Sequence, residues 1–224
     1  MKKELLLFDL DGTLIDSSAD LAESINFMLK KLQKDTYSKA EIDTWVGNGA
    51  QTLVKRALSG SKDIDTSIFT QEFFQKALLI FLDHYKDNVC VHTSLYPQVY
   101  ETLKKLYELN YMLVIITNKP YEFVAPILEK LNIFNFFRMY LGGDSLEFKK
   151  PHPQPLLHVC EKFHMVLDNV VMIGDSKNDI LAAKSAGIQS VAVSYGYNYG
   201  EDISKYNPDY IIENFGEIIS ILEP

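Results

Sequence analysis

Cysteine is scarce in this chain of 224 residues, which contains two, Cys90 and Cys160, and no CxxC or zinc-ligand pattern. Two cysteines so far apart in a chain of this length are typical of buried, reduced side chains. The sequence therefore indicates neither a disulfide-stabilised fold nor a structural zinc site.

Long apolar stretches are also absent. Lys2 and Lys3 precede a short apolar run, but Asp9 interrupts it before it reaches the length of a signal-peptide core. No later stretch approaches the length of a membrane span. We therefore expect a cytoplasmic protein that does not act at a membrane.

The sequence contains no basic run either. Its net charge is −8, from 22 basic and 30 acidic residues, so we do not expect nucleic acid as a partner. A small phosphorylated metabolite is compatible with this charge, because a metal ion and a few cations can be concentrated at one site. The oligomeric state is left open between a monomer and a homodimer.

Six short apolar runs have the composition of strands buried on both faces. They cover residues 3–10, 111–117, 138–141, 169–174, 189–194 and 210–212. The helical patterns between and beside them include residues 97–109, 121–131 and 178–186. Strands that alternate with helices of this length predict an α/β fold with a doubly wound parallel sheet.

Residues 17–88 break this alternation, because they contain several helical patterns and no convincing strand. Ser38 and Glu41 have the spacing of a capping box at the start of one of these helices. We expect an all-helical cap domain, residues 17–88, inserted into a main domain that comprises residues 1–16 and 89–224. Further helices are predicted at residues 19–32, 49–58 and 69–85.

Asp9 and Asp11 stand where the first predicted strand ends, in the sequence DLDGT. Residues two apart on a strand point the same way, and open α/β sheets bind ligands at the carboxyl ends of their strands. Such close carboxylates repel each other unless a cation or a shared proton offsets the charge, and Mg²⁺ prefers carboxylate oxygens. An acidic turn without a chemical role is the alternative, and these two residues alone leave both interpretations open.

Three further polar clusters follow later predicted strands. Thr117 and Asn118 can cradle an anion, although both are also common helix caps. Lys150 offers a point charge for a phosphoryl group or is simply solvated. Asp175 and Asp179 add two carboxylates, although Asp175 could instead cap the next helix. Four clusters at or just beyond strand ends favour a shared active site over separate turns.

The motifs DxDGT, Thr-Asn, Lys-Pro and GDxxxD, in this order, resemble the four motifs of the haloacid dehalogenase superfamily. The resemblance covers the whole chain and implies a Rossmann-like core with an inserted helical cap, and a Mg²⁺-dependent phosphatase. It implies that Asp9 is the nucleophile that forms an aspartyl-phosphate, and that Asp11 is the general acid and then the general base. It also implies a metal site formed by the carboxylates of Asp9 and Asp175 and the backbone carbonyl of Asp11.

The same resemblance implies roles for the remaining motif residues. Thr117 and Lys150 would hold the phosphoryl oxygens, with Asn118 assisting, and Asp179 would orient Lys150 or a metal-bound water. These roles suit phosphoryl transfer, which requires positioning and neutralisation of the equatorial oxygens.

A finer resemblance, to the phosphoglycolate phosphatases, implies 2-phosphoglycolate as the substrate. The loop Gly47-Asn48-Gly49 would bring backbone amides to the leaving group, or is only a tight turn between helices. Arg56 could meet a substrate carboxylate, or is a solvated side chain. The chain departs from the family at Gln98, where Tyr-Pro-Gly is common. The segments that carry this resemblance are VGNGA at 46–50, TNKP at 117–120, GGD at 142–144, KKPHP at 149–153 and YGYN at 195–198.

Other functions stay open on the sequence alone. Nucleotidases, pyrophosphatases and β-phosphoglucomutase-like isomerases share these core motifs and differ mainly in the cap. A receiver of the response-regulator type also places an Asp, a Thr and a Lys on a doubly wound sheet. That alternative leaves the cap and the Asp-Gly-Thr turn unexplained.

Overall fold

A computed structural model describes residues 3–222 of the chain. Its central sheet has six strands in the order β5-β4-β1-β6-β7-β8, and every neighbouring pair is parallel. The two remaining strands, β2 and β3, form a separate antiparallel pair. In chain order the strands are β1 (Leu5–Phe8), β2 (Ile15–Asp16), β3 (Ser94–Leu95), β4 (Met112–Ile116), β5 (Met139–Leu141), β6 (Val170–Gly174), β7 (Gln189–Val193) and β8 (Tyr210–Ile212).

Helices flank the sheet and fill the insertion after β2. The four helices of the insertion are α1 (Ser18–Lys31), α2 (Lys39–Asp43), α3 (Ala50–Ser59) and α4 (Gln71–Asp87). The others are α5 (Val99–Glu108), α6 (Val124–Lys130), α7 (Gln154–Lys162), α8 (Lys177–Ala186) and α9 (Ile218–Leu222). The α/β class, the six predicted sheet strands and the helical insert are confirmed.

The alternation of side chains along β1 divides the core into two layers. Leu6 and Phe8 pack with the apolar faces of α5, α6 and α9. Leu5 and Leu7 point the other way and pack with α7 and α8. Both faces of the sheet are therefore covered, which is why its strands are continuous apolar runs.

The four inserted helices pack mainly on one another, with α1 against α4 and α3 against α4. The predicted capping box is present, because Ser38 Oγ accepts from the Glu41 amide and the Glu41 carboxylate accepts from the Ser38 amide. Trp45, the single tryptophan, packs edge-to-face on Tyr37 inside this bundle. We propose residues 17–88 as the cap domain, with the boundaries that the sequence predicts.

Two features of the main domain differ from what the sequence indicates. The α7 helix was not predicted, because prolines around its first turn obscure its apolar spacing. Gln98 has a φ of 65°, in the left-handed region that favours glycine, which explains why glycine is common there.

Cys90 and Cys160 are both free, but only Cys160 is fully buried. No helix among residues 3–222 combines the length and apolarity that crossing a membrane requires.

The chain crosses between the main domain and the helical insert twice, and the two crossings lie side by side. Ile15 pairs with Leu95 in the β2–β3 ribbon. The Asp20 carboxylate, buried at the start of α1, accepts hydrogen bonds of 2.8 to 3.0 Å from the amides of residues 91–93. The Thr93 hydroxyl donates a further bond to it at 2.6 Å. Asp20 therefore fixes the return crossing to the outgoing helix.

Replacing Asp20 by alanine leaves three backbone donors and one hydroxyl without their buried acceptor. We expect this to lower the free energy of unfolding by about 3 kcal/mol, measured by urea denaturation. Asp83→Ala, at an exposed position of α4, is the matched control and should change stability by no more than about 0.5 kcal/mol. Equal stabilities of the two variants would contradict the anchoring role of Asp20.

Candidate active site

The carboxyl ends of β1, β4 and β6 meet at one edge of the sheet, because these strands are parallel neighbours. Asp9 follows β1, Thr117 follows β4, Asp175 follows β6, and Lys150 arrives from the loop between β5 and α7. The structure brings these side chains together beneath the helical insert. The cavity at this edge is lined by most of the predicted site residues, namely Asp9, Asp11, Gly47, Gly49, Thr117, Asn118, Lys150 and Asp179.

The Lys150 ammonium is the electrostatic centre of the site. It is 2% exposed and donates to Asp9 Oδ1 at 2.8 Å, to Asp179 Oδ1 at 2.6 Å and to the Ile116 carbonyl. Burial alone would lower the pKa of Lys150, but the charges of Asp179 and Asp9 raise it above the ordinary value. The group is therefore a fixed positive charge beside Asp9.

The carboxylates of Asp9, Asp175 and Asp179 lie close enough for a metal ion, with one ligand oxygen of each within 4.8 Å of the others. Burial raises the pKa of Asp9 to about 6, against the opposing effect of Lys150. Burial and the neighbouring carboxylates also raise the pKa of Asp175. Three buried carboxylates beside one ammonium leave uncompensated negative charge, and their oxygens are the donors that Mg²⁺ prefers.

Both carboxylate oxygens of Asp179 already accept hydrogen bonds from the protein, so Asp179 is less available than Asp9 and Asp175 as a metal ligand. Its Oδ1 accepts from Lys150, and its Oδ2 accepts from the amide and hydroxyl of Ser176. Asp179 thus contacts Lys150 directly, and the predicted choice between orienting Lys150 and orienting a metal-bound water stays a prediction. The alternative in which Asp175 caps α8 is wrong, because Ser176 occupies the N-cap position.

The Asp175 carboxylate lies in a closely fitted recess. Its Oδ2 accepts from the Tyr197 amide at 2.8 Å, and its Oδ1 accepts from the Thr13 hydroxyl at 3.3 Å. A Cβ on Gly12 would lie 2.3 Å from Asp175 Oδ2, and Gly12 has a φ of 89°. Glycine in the DxDGT motif is thus required both by the backbone conformation and by the approach of Asp175.

The Asp11 carboxylate is engaged by two residues that the sequence analysis did not assign. Lys119 Nζ lies 2.9 and 3.1 Å from its two oxygens, and the Ser17 hydroxyl donates to Oδ1. Burial lowers the pKa of Lys119, but Asp11 and Tyr85 more than offset this, so the ammonium form is favoured. The position of Lys119, two residues after Thr117 beyond a strand end, is the signal that could have identified it.

Thr117 and Asn118 form the buried turn after β4. The Thr117 hydroxyl lines the cavity and accepts from the Lys119 amide at 3.2 Å. The Asn118 amide group donates to the Lys150 carbonyl at 3.0 Å, so it fixes the loop that carries Lys150. The direct contribution of Asn118 to phosphoryl binding stays a prediction.

The glycine loop of the insert lies against the main domain at this cavity. Asn178 Nδ2 donates to the Gly47 carbonyl at 3.3 Å and to Asn48 Oδ1 at 2.7 Å. A Cβ on Gly49 would lie 2.6 Å from the Asn118 carbonyl oxygen, so only glycine permits this approach. The loop therefore lies over the turn after β4, and Gly47 and Gly49 line the cavity; its contact with a leaving group stays a prediction.

Arg56 requires a correction, because its side chain meets neither solvent nor the cavity. It is 8% exposed, and its guanidinium donates to the Trp45 carbonyl at 2.7 Å and to the Lys62 carbonyl at 3.1 Å. It also lies over the Tyr199 ring, 5.1 Å from the centroid. Arg56 therefore links two backbone segments of the insert and does not face a substrate carboxylate. His152 stacks on Phe148 in its loop.

Comparison with known proteins agrees with this geometry. The family model of haloacid dehalogenase-like hydrolases matches residues 6–193. A phosphoglycolate phosphatase from Colwellia psychrerythraea is 50% identical, over 99% of this chain and 98% of the relative. One from Psychrobacter arcticus is 45% identical, over 99% and 96% of the two chains. The crystal structure of a predicted phosphoglycolate phosphatase from Haemophilus somnus superposes with a TM-score of 0.91 at 40% identity, over 99% and 98% of the two chains. The chain belongs to the haloacid dehalogenase-like hydrolase family.

Proposed function

We propose that the chain hydrolyses 2-phosphoglycolate to glycolate and phosphate, as a phosphoric monoester hydrolase. The observation that carries this proposal is the buried carboxylate Asp9, fixed by Lys150 at the end of β1 beside a metal-compatible carboxylate cluster. The phosphoglycolate phosphatases that it resembles along its whole length support the choice of substrate. Family membership and the helical insert also leave the response-regulator alternative without support.

In this proposal the Asp9 carboxylate attacks the phosphorus atom and forms an aspartyl-phosphate, so that hydrolysis proceeds in two steps. Lys150 and the Thr117 hydroxyl stabilise the equatorial oxygens while charge redistributes. Asp11 gives a proton to the leaving alkoxide in the first step and takes one from the attacking water in the second. The Lys119 and Ser17 contacts hold the Asp11 side chain in one orientation for both tasks.

The Asp9 and Asp175 carboxylates, with the Asp11 backbone carbonyl, would hold Mg²⁺, which supplies neutralisation of charge on a phosphoryl oxygen. Asp179 contributes by fixing Lys150, since both of its oxygens already accept hydrogen bonds. The cytoplasmic location and the choice between monomer and homodimer stay predictions.

The metal assignment predicts a specific change in Mg²⁺ dependence. Activity should be lost with chelator and restored by Mg²⁺. Asp175→Asn should raise the Mg²⁺ concentration for half-maximal activity by at least about tenfold. Asp168→Asn, at an exposed position before β6, is the control and should titrate like the wild type. Hydrolysis that persists in chelator would contradict the metal site.

The substrate assignment is tested by kcat/KM for 2-phosphoglycolate, nucleoside monophosphates, pyrophosphate and glucose 1-phosphate. We expect 2-phosphoglycolate to give the highest value. Asp9→Asn, purified in parallel, should be inactive on every compound and so controls for contaminating phosphatases. A higher kcat/KM for a nucleotide, pyrophosphate or a sugar phosphate would replace the substrate proposal while leaving the family unchanged.

A further inference from the structure

The part of the cavity that faces the insert is apolar. Its walls there are formed by Leu21, Val46, Leu53, Phe81 and Phe123. An ionised group of a substrate that enters this space loses water, and the loss is costly unless a charged or hydrogen-bonding partner replaces it. Any anionic leaving group therefore needs a dedicated cation on the cavity wall.

Among the described residues that line the cavity, two carry a positive charge, Lys119 and Lys150. Lys150 Nζ contacts Asp9, Asp179 and the Ile116 carbonyl, so its charge lies at the Asp9 end of the cavity, where the phosphoryl group would bind. Lys119 Nζ forms an ion pair with Asp11 at 2.9 Å and not with Asp9 or Asp179, the partners of Lys150. Lys119 is thus the cation that a second anionic group in the cavity can reach.

Tyr85 of α4 provides a second, independent observation beside Lys119. It is 1% exposed and lines the cavity, and its hydroxyl makes no hydrogen bond of normal length and angle among residues 3–222, although it interacts with the neighbouring Lys119 ammonium. Its ring lies 4.9 Å from Lys119 Nζ, measured to the centroid. A buried hydroxyl without a hydrogen bond of normal geometry is costly to keep, which indicates that it serves an acceptor on a bound molecule.

We infer that Lys119 and Tyr85 form the recognition site for a carboxylate on the leaving group of the substrate. The inference rests on the proposed hydrolysis of 2-phosphoglycolate and names the residues of this chain that would hold the substrate carboxylate. Lys119 comes from the main domain and Tyr85 from the insert, so the carboxylate would bridge the two. A neutral leaving group would leave the Tyr85 hydroxyl without an acceptor and gain nothing from Lys119.

The test compares 2-phosphoglycolate with ethyl phosphate, which has the same length but no carboxylate. The measured quantity is kcat/KM for 2-phosphoglycolate divided by kcat/KM for ethyl phosphate. Tyr85→Phe and Lys119→Met should each lower this ratio by at least about tenfold. Tyr107→Phe and Lys104→Met, at exposed positions of α5, are the matched controls and should keep the wild-type ratio. An unchanged ratio in both Tyr85→Phe and Lys119→Met, with both substrates slowed equally, would overturn the inference, because Lys119 would then only position Asp11.

Thermal unfolding separates recognition from folding. Tyr85→Phe removes a buried hydroxyl that makes no hydrogen bond of normal geometry in the free protein, so its Tm should equal or exceed that of the wild type. A clear fall in Tm with an unchanged substrate ratio would show that the hydroxyl serves the fold and would overturn its role in recognition.

Phospholactate, a second carboxylate-bearing ester, distinguishes failure of this inference from failure of the substrate proposal. The wild type could have a higher kcat/KM for phospholactate than for 2-phosphoglycolate, with Tyr85→Phe and Lys119→Met losing activity on phospholactate. That result would rule out 2-phosphoglycolate as the substrate but support the carboxylate site. A wild-type kcat/KM for ethyl phosphate equal to the values for both carboxylate esters would overturn the carboxylate site.

Discussion

The ion pair between the buried Lys150 ammonium and the Asp9 carboxylate, at 2.8 Å, is the interaction on which the active site depends. Asp9, Asp175 and Asp179 place three buried carboxylates close together, and the Lys150 ammonium lies between Asp9 and Asp179. The remaining negative charge is what makes the site suitable for a divalent cation and a phosphoryl group. The Gly12 turn and the start of α8 serve to hold these carboxylates in place.

The helical insert contributes the other half of the cavity, and among residues 3–222 it brings no positive charge to the lining. Arg56, the basic residue of the insert that the sequence suggested for substrate binding, donates instead to backbone carbonyls within the insert. The main domain therefore supplies both cations, Lys150 toward the phosphoryl group and Lys119 toward the leaving group. This division explains how an acidic protein can accept a small ester with two anionic groups without a basic surface.

The sheet and the core motifs could be predicted because each depends on local sequence. Strands buried on both faces are continuous apolar runs, and parallel neighbours bring their carboxyl ends together. The β2–β3 ribbon escaped prediction because strands of two residues carry no periodicity. The expectation for Arg56 was wrong, and Tyr85 was missed, because their surroundings depend on how the insert packs. Tyr199, which lies under Arg56, is distant from it in the sequence.

The central claim is that the phosphoryl group passes through Asp9 before it reaches water. The stereochemical course at phosphorus tests this most directly, using a thiophosphate ester of glycolate made chiral with oxygen isotopes and hydrolysed in isotope-labelled water, so that the released thiophosphate is itself chiral. Two in-line displacements, one by Asp9 and one by water, predict retention of configuration. Inversion would mean a single direct displacement and would contradict the account.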